Sequence, residues 1–179
     1  VLIDVPKDIT AQKCEYTPES PEPIEAPELP PEEWMERATE MIRESKRPFI
    51  YAGGGIIASE GESALAAFAE KVDAPVSCSL MCQGGYDQEN PRYVGMLGMH
   101  GTKTASNCIR DCDLLIAVGT RFSDRVTCDT GSFARNCRIL HIDIDPAEFN
   151  KNVDVSVRLK GDAGAIMKEL TRRLSDQHH

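Results

Sequence analysis

The stretch VGMLGMHGTKTASNCIRDCDLLIAVGTRFSDRV, Val94 to Val126, decides the fold. Its middle, Lys103 to Cys112, reads as a helix for which Thr102 is a fitting N-cap, and DLLIAVG from Asp113 to Gly119 reads as a buried strand that stops at a glycine. A helix leading straight into a continuous apolar strand is the repeating unit of a parallel sheet with both faces covered. The glycines, histidine and arginines around that unit are either a packed loop or a cradle for a ligand.

The same alternation extends outward. Pro30-Pro31-Glu32-Glu33 opens a helix with acidic residues in its first turn, placing Trp34, Ala38, Met41 and Ile42 on one face. PFIYA, Pro48 to Ala52, is a short strand running into Gly53-Gly54-Gly55. Ser59 to Val72 reads as a second helix with Leu65, Phe68, Ala69 and Val72 inward, and PVSCSLM, Pro75 to Met81, as the next strand. RILHIDID and VSVRLKGD are further apolar runs ending at Asp or Gly, and Asp162 caps a closing amphipathic helix to Leu174. Right-handed crossovers bring all the strand ends to one edge, where such folds bind ligands.

Upstream the pattern differs. VLIDV reads as a strand with no partner nearby, and the segment that follows is too rich in proline and glutamate for a helix or central strand. The expectation is that Val1 to Val5 are the last strand of a preceding domain, and that the His178-His179 end is a tag remnant.

A formal net charge of −9 argues against a nucleic-acid or anionic-membrane partner, because the longest basic run is Arg172-Arg173. No apolar run approaches the twenty residues of a membrane span, and the first residues lack the basic flank of a signal peptide, so a cytoplasmic location is expected. The seven cysteines form no CxxC pair, which favours buried free thiols over a zinc site.

The loops offer binding chemistry rather than catalysis. Gly53-Gly54-Gly55 either lets a backbone approach a phosphate or is only a tight turn, and it lacks the spacing of a dinucleotide fingerprint. Gly98-Met99-His100-Gly101-Thr102 precedes a helix start whose free amides favour an anion, although His100 alone is equally a loop histidine. Arg121 stands at the sheet edge, either for a phosphate or in an ion pair with Asp124 or Asp129. Asp143 is placed to accept ribose hydroxyls, Asp145 to cap the next turn, and Asp162 to cap a helix, contact a ligand, or both. No nucleophile with a base and no carboxylate pair stands out, so no catalytic or metal-binding residue is expected in this chain.

Taken together, VLIDVPKDI, RPFIYAGGG, SLM, GMLGMHGT, CDLLIAVGTRFSDRVT, HIDIDPAEFNKN and the final KGD resemble the large catalytic subunits of the acetolactate synthase (acetohydroxyacid synthase) family, which are thiamine-diphosphate enzymes. The resemblance runs from about Val1 to Leu174. It implies an α/β fold of three layers, a Rossmann-like six-stranded parallel sheet with helices on both faces, which is the family's FAD-binding middle domain. The implied division is residues 1–15 as the end of a pyrimidine-binding domain, 16–32 as linker, 33–175 as the central domain and 176–179 as tail.

Position by position, the resemblance implies FAD contacts from Gly54 and Gly55, from Ser79 and Leu80, and from Leu97, Gly98, Met99, His100 and Gly101. It adds Gly119, Thr120, Arg121, Phe122 and Ser123, then Asp143, Ile144 and Asp162. Ser79 stands where the family often has Thr, Ser123 where it has Asp, Thr120 where Ala or Val is commoner, and Cys128 where Gly is. The implied parent reaction joins two pyruvates, or pyruvate and 2-oxobutyrate, with loss of CO2, on the way to branched-chain amino acids. Thiamine diphosphate and Mg2+ would be held by flanking pyrimidine- and diphosphate-binding domains, so this chain alone is expected to be inactive. The family pattern also implies a homo-oligomer and leaves a regulatory subunit open. Two alternatives stand beside it: the middle domain of another thiamine-diphosphate carboligase, oxidase or decarboxylase, and a nucleotide-free scaffold.

Overall fold

Among the described residues six strands, all parallel, form one sheet whose spatial order, by the residue that opens each strand, is Tyr93, Val76, Pro48, Leu114, Arg138, Val157. The computed structural model describes residues 2–18, 20, 28–128, 130–131 and 133–175. In chain order the elements are α1 (Lys7–Thr10), α2 (Glu32–Glu44), β1 (Pro48–Ala52), α3 (Gly55–Ala58), α4 (Glu62–Val72) and β2 (Val76–Cys78). A 3-10 turn, Leu80–Cys82, then leads to β3 (Tyr93–Met96), α5 (Lys103–Asp111), β4 (Leu114–Val118), α6 (Asp124–Thr127) and β5 (Arg138–Asp143). A second such turn, Pro146–Glu148, precedes β6 (Val157–Lys160) and α7 (Ala163–Ser175).

The register explains the apolar runs. One row crosses the whole sheet, Tyr93, Val76, Ile50, Ile116, Leu140 and Val157, and every side chain in it packs into the core shared with α2, α4 and α7. Tyr51 and Ala117, one residue on, face the opposite way into a second core with Leu97, Ala105 of α5 and Phe122. Helices thus cover both faces of a three-layer α/β domain. β4 is buried along its whole length, and each of its Leu, Ile and Val side chains contributes about 1.5–3 kcal/mol relative to exposure.

Helix boundaries follow local chemistry. Thr102 accepts the amide of Ala105 at 3.1 Å and caps α5, while Asp162 accepts the amide of Ala165 at 2.7 Å and caps α7. In α2 it is Met35, not Trp34, that is buried with Ala38, Met41 and Ile42; Trp34 lies half-buried with the Arg37 guanidinium 4.7 Å from its ring.

Several expectations are corrected. Residues 2–6 form no strand, and the structure has the single helical turn α1 after them. A strand needs a ladder partner, and here Leu2 and Ile3 are 95% and 78% exposed with none. The helix expected from Ser59 to Val72 begins only at Glu62, and a separate turn, α3, precedes it, the two divided by Glu60 at φ +49 and Gly61. The strand through Met81 ends at Cys78, and the 155–162 strand is confined to Val157–Lys160.

Strand β3 lies in a segment to which the sequence pattern assigns no element. Three residues of β2, Val76 to Cys78, face four of β3, Tyr93 to Met96, so the edge strand carries a bulge, with Gly95 at φ +91. The bulge breaks the period-2 pattern that marks a strand. All seven cysteines are free, but only Cys78, Cys82 and Cys112 are buried.

Candidate functional site

Strand order reverses between β1 and β4, and the loops leaving these two strands meet above that point. Gly53 N–H continues the ladder to the Val118 carbonyl at 2.8 Å, and Gly55 N–H donates to the Gly119 carbonyl at 3.0 Å. The approach is so close that a Cβ on Gly55 would stand 2.6 Å from Gly119 Cα, and one on Gly119, at φ +57, 2.5 Å from Gly55 Cα. Gly53 and Gly55 are therefore required by loop crossing. Gly54 alone of the three has an added Cβ meeting only Met81, at 3.1 Å from its Cβ.

Over this crossing lies a cleft of about 930 Å³ along the carboxyl edge of the sheet. It is at the upper end of the roughly 300–1,000 Å³ typical of small-molecule sites. Of the residues singled out from the sequence, Gly54, Gly55, Ser79, Leu80, Leu97, Met99, His100, Gly119, Thr120, Arg121, Ser123, Asp143, Ile144 and Asp162 line it. Gly98, Gly101 and Phe122 do not. At Gly98, φ is +111 and a Cβ would press on the Arg125 carbonyl at 2.7 Å, so this glycine shapes the loop rather than its wall. Gly101 is likewise confined by backbone, donating to the Gly98 carbonyl at 2.8 Å. Phe122 sits at φ +48, which turns its ring into the second core against His141 and Phe133, with centroids 5.0 and 5.9 Å away.

The cleft is chemically divided. Arg121 and His100 are exposed, and neither side chain has a hydrogen-bond or ion-pair partner among the described residues; Asp124 pairs instead with Arg125 at 3.6 Å, and Asp129 lies outside those residues. Arg125 also lines the cleft, so two guanidiniums serve it. Asp143, Asp145, Glu148 and Asp162 supply carboxylates. Asp143 accepts the Asp145 amide at 2.9 Å, Asp145 accepts the Ala147 amide at 2.9 Å, and Asp162 both caps α7 and faces the cleft. Leu80, Met81, Met99 and Ile144 form an apolar rim, each at least 62% exposed.

Behind the wall stands His141, fully buried. Its Nε2 lies 2.8 Å from the Thr120 carbonyl, which only accepts, so this nitrogen carries the hydrogen. Burial pushes its pKa below the usual imidazole value, and Nδ1 has no hydrogen-bond partner among the described residues. Glu148 is also mostly buried: Oε1 accepts from Lys151 at 2.8 Å, while Oε2 has no hydrogen-bond partner among the described residues.

Arg125, Glu148, Met81 and Ser59 are lining residues that the sequence reading does not single out. Arg125 carries no signal of its own in the sequence, because it is the short α6, following the turn at Phe122, that brings it to the cleft. Glu148 carries no such signal, because a short 3-10 turn folds it back over the edge.

A parallel domain with a dinucleotide-sized cleft at its switch point defines the class, and residues 35–170 match the family described as thiamine pyrophosphate enzyme, central domain. The chain belongs to that family. It is 46% identical over 140 residues to a probable acetolactate synthase large subunit from Methanococcus aeolicus, covering 78% of this chain and 23% of the relative. It is 41% identical over 175 residues to the acetolactate synthase large subunit of Parasynechococcus marenigrum (95% and 28% covered). The acetolactate synthase isozyme 2 large subunit of Escherichia coli K12 is 39% identical over 175 residues (98% and 32%). The chain spans less than a third of the length of these curated relatives.

Proposed function

We propose that this chain is the central, FAD-binding domain of an acetolactate synthase large subunit. The observation that carries the reading is the divided cleft at the β1/β4 switch point, with guanidiniums from Arg121 and Arg125 and carboxylates from Asp143, Glu148 and Asp162 along the same edge. FAD has a diphosphate for the first set and ribose and adenine donors for the second. Gly54 leaves room for close approach, and the unpartnered Glu148 Oε2 is an acceptor suited to a ligand hydroxyl or amine. The residues present therefore fit the group. When bound, FAD undergoes no net redox change in the reading adopted here and acts structurally; the chain's residues orient it and exclude water from its buried parts.

In this reading residues 1–15 close a preceding pyrimidine-binding domain, 16–32 link it to the central domain of 33–175, and 176–179 are a tail. The complete subunit condenses 2-oxo acids on thiamine diphosphate and Mg2+ held by its flanking domains, as a homo-oligomer in the cytoplasm. No helix among the described residues is long and apolar enough to cross a membrane, which accords with that location.

The test is the visible spectrum of the purified chain after incubation with FAD and desalting, with Arg121→Ala beside it. Retained flavin absorbance that falls in the variant supports the reading. A folded, colourless protein that also ignores ADP in equilibrium dialysis overturns it in favour of a scaffold.

A further inference from the structure

The sheet edge opposite the cleft holds a chemistry that the proposed function does not use. Cys112 follows the last turn of α5, and Cys137 ends the segment that returns from α6 to β5. The register Leu114↔Arg138, together with the Arg138 amide donating to the Asp113 carbonyl at 3.0 Å, sets Cys137 beside Asp113 and next to Cys112. Adjacent strands are about 4.8 Å apart, and neighbouring positions on them fall within the roughly 4.4–6.8 Å Cα separation that a disulfide spans. Both side chains sit in the second core, Cys112 buried and Cys137 packed against it. Carbonyls hold them in place, that of Ile109 at 3.4 Å from Cys112 Sγ and that of Ala134 at 3.5 Å from Cys137 Sγ.

We propose that Cys112 and Cys137 are a redox-active dithiol that peroxide closes to a disulfide, stapling the end of α5 to the end of the 128–137 segment. The roles follow from the environment. Cys137 is half-buried and reachable, whereas Cys112 is buried, so Cys137 meets the oxidant first and Cys112 resolves. Cys137 releases its proton to solvent and as thiolate attacks one oxygen of hydrogen peroxide; the O–O bond breaks, and a sulfenic acid and a hydroxide result, the hydroxide taking up the released proton as water. Cys112 then attacks the sulfenic sulfur, giving its proton to the departing hydroxide, so that the S–S bond replaces the S–O bond and a second water leaves. Two thiols and one peroxide give one disulfide and two waters, with two electrons passing to the peroxide.

The second thiol pair provides contrast. Cys78 and Cys82 are 1% and 0% exposed within the first core, which shields both from an oxidant. The position of the reactive pair also couples it to the cleft. Met99 donates to the Arg125 carbonyl at 2.8 Å at the cleft end of the same two segments, so the disulfide ties their far ends while that bond ties their near ends.

The test treats the reduced chain, in a Cys14→Ser/Cys128→Ser background that removes the two exposed thiols, with a few equivalents of hydrogen peroxide. Expected is a loss of about 2 Da, one cross-linked peptide pair containing Cys112 and Cys137, and restoration by dithiothreitol. Cys112→Ser is expected to leave Cys137 as a sulfenic acid trapped by dimedone, and Cys137→Ser to abolish thiol loss. Far-UV circular dichroism verifies that each variant is folded. Free thiols at both positions after treatment, a cross-link through Cys78, Cys82 or Cys108, or over-oxidised Cys137 with no cross-link in the folded chain would each overturn the proposal.

Discussion

His141 holds the Thr120 carbonyl from beneath, Nε2 to oxygen 2.8 Å, and thereby braces the loop that carries Arg121 to the cleft. The rings of Phe122 and Phe149 close on the imidazole at 5.0 and 5.1 Å, so the bond is shielded from water. A surface cation is thus set in place by a neutral, buried imidazole one strand away.

That arrangement makes stability depend on pH. Burial lowers the folded-state pKa of His141 from an ordinary value of 6.5, so above that value both folded and unfolded chains carry it neutral and its full contribution is present. As pH falls below 6.5 the unfolded chain takes up a proton that the folded chain resists, and stability is lost until the depressed folded pKa is passed. Urea unfolding at pH 7.5 and 5.5 should show this decline, and a folded His141→Asn variant a smaller one. Equal slopes in the two proteins would remove His141 as the cause.

Arg121→Ala should weaken FAD binding about 10- to 100-fold, the worth of one charge-assisted contact of about 1.5–3 kcal/mol. Because its side chain has no partner among the described residues, urea unfolding of the free chain should hardly change. An equal loss of stability would mean that the guanidinium serves the fold instead.

Gly119→Ala should destabilise by at least about 1–3 kcal/mol, since the new methyl meets backbone and the residue stays in the left-handed region. Gly54→Ala meets only the exposed Met81 side chain and should cost less than about 1 kcal/mol in stability while narrowing the cleft. Chemical denaturation of the pair separates loop crossing from ligand space.

Cys128→Gly should stabilise the chain by about 1 kcal/mol. Cys128 stands at φ 51, ψ −98, a conformation that glycine adopts freely and an L residue does not, and it is exposed, so little packing is lost. A lower unfolding midpoint for the variant would contradict the strain.

Much of the architecture was legible in advance because it rests on local chemistry. β1, β4 and β5 are unbroken apolar runs, and Thr102 and Asp162 announce the helices they cap. The carboxyl-edge cluster of glycine, Arg121 and Asp143 follows from strand ends and crossover handedness alone. β3 escapes such reading because its bulge at Gly95 spoils the alternation, and VLIDV forms no strand here because apolar alternation states a preference for a ladder without supplying one.

What the sequence by itself determined is therefore the parallel α/β class, the order of its elements and the residue types at the binding edge, all consequences of periodicity, capping and turn chemistry within a few residues. Tertiary structure alone decided which glycines are needed for the crossing of two loops, that Phe122 faces the core rather than the cleft, and that Glu148 folds back over the edge. It also decided that Cys112 and Cys137, far apart in the chain, become neighbours. These outcomes depend on which strands lie side by side, and that adjacency is set by the packing of the whole sheet, which no local pattern encodes.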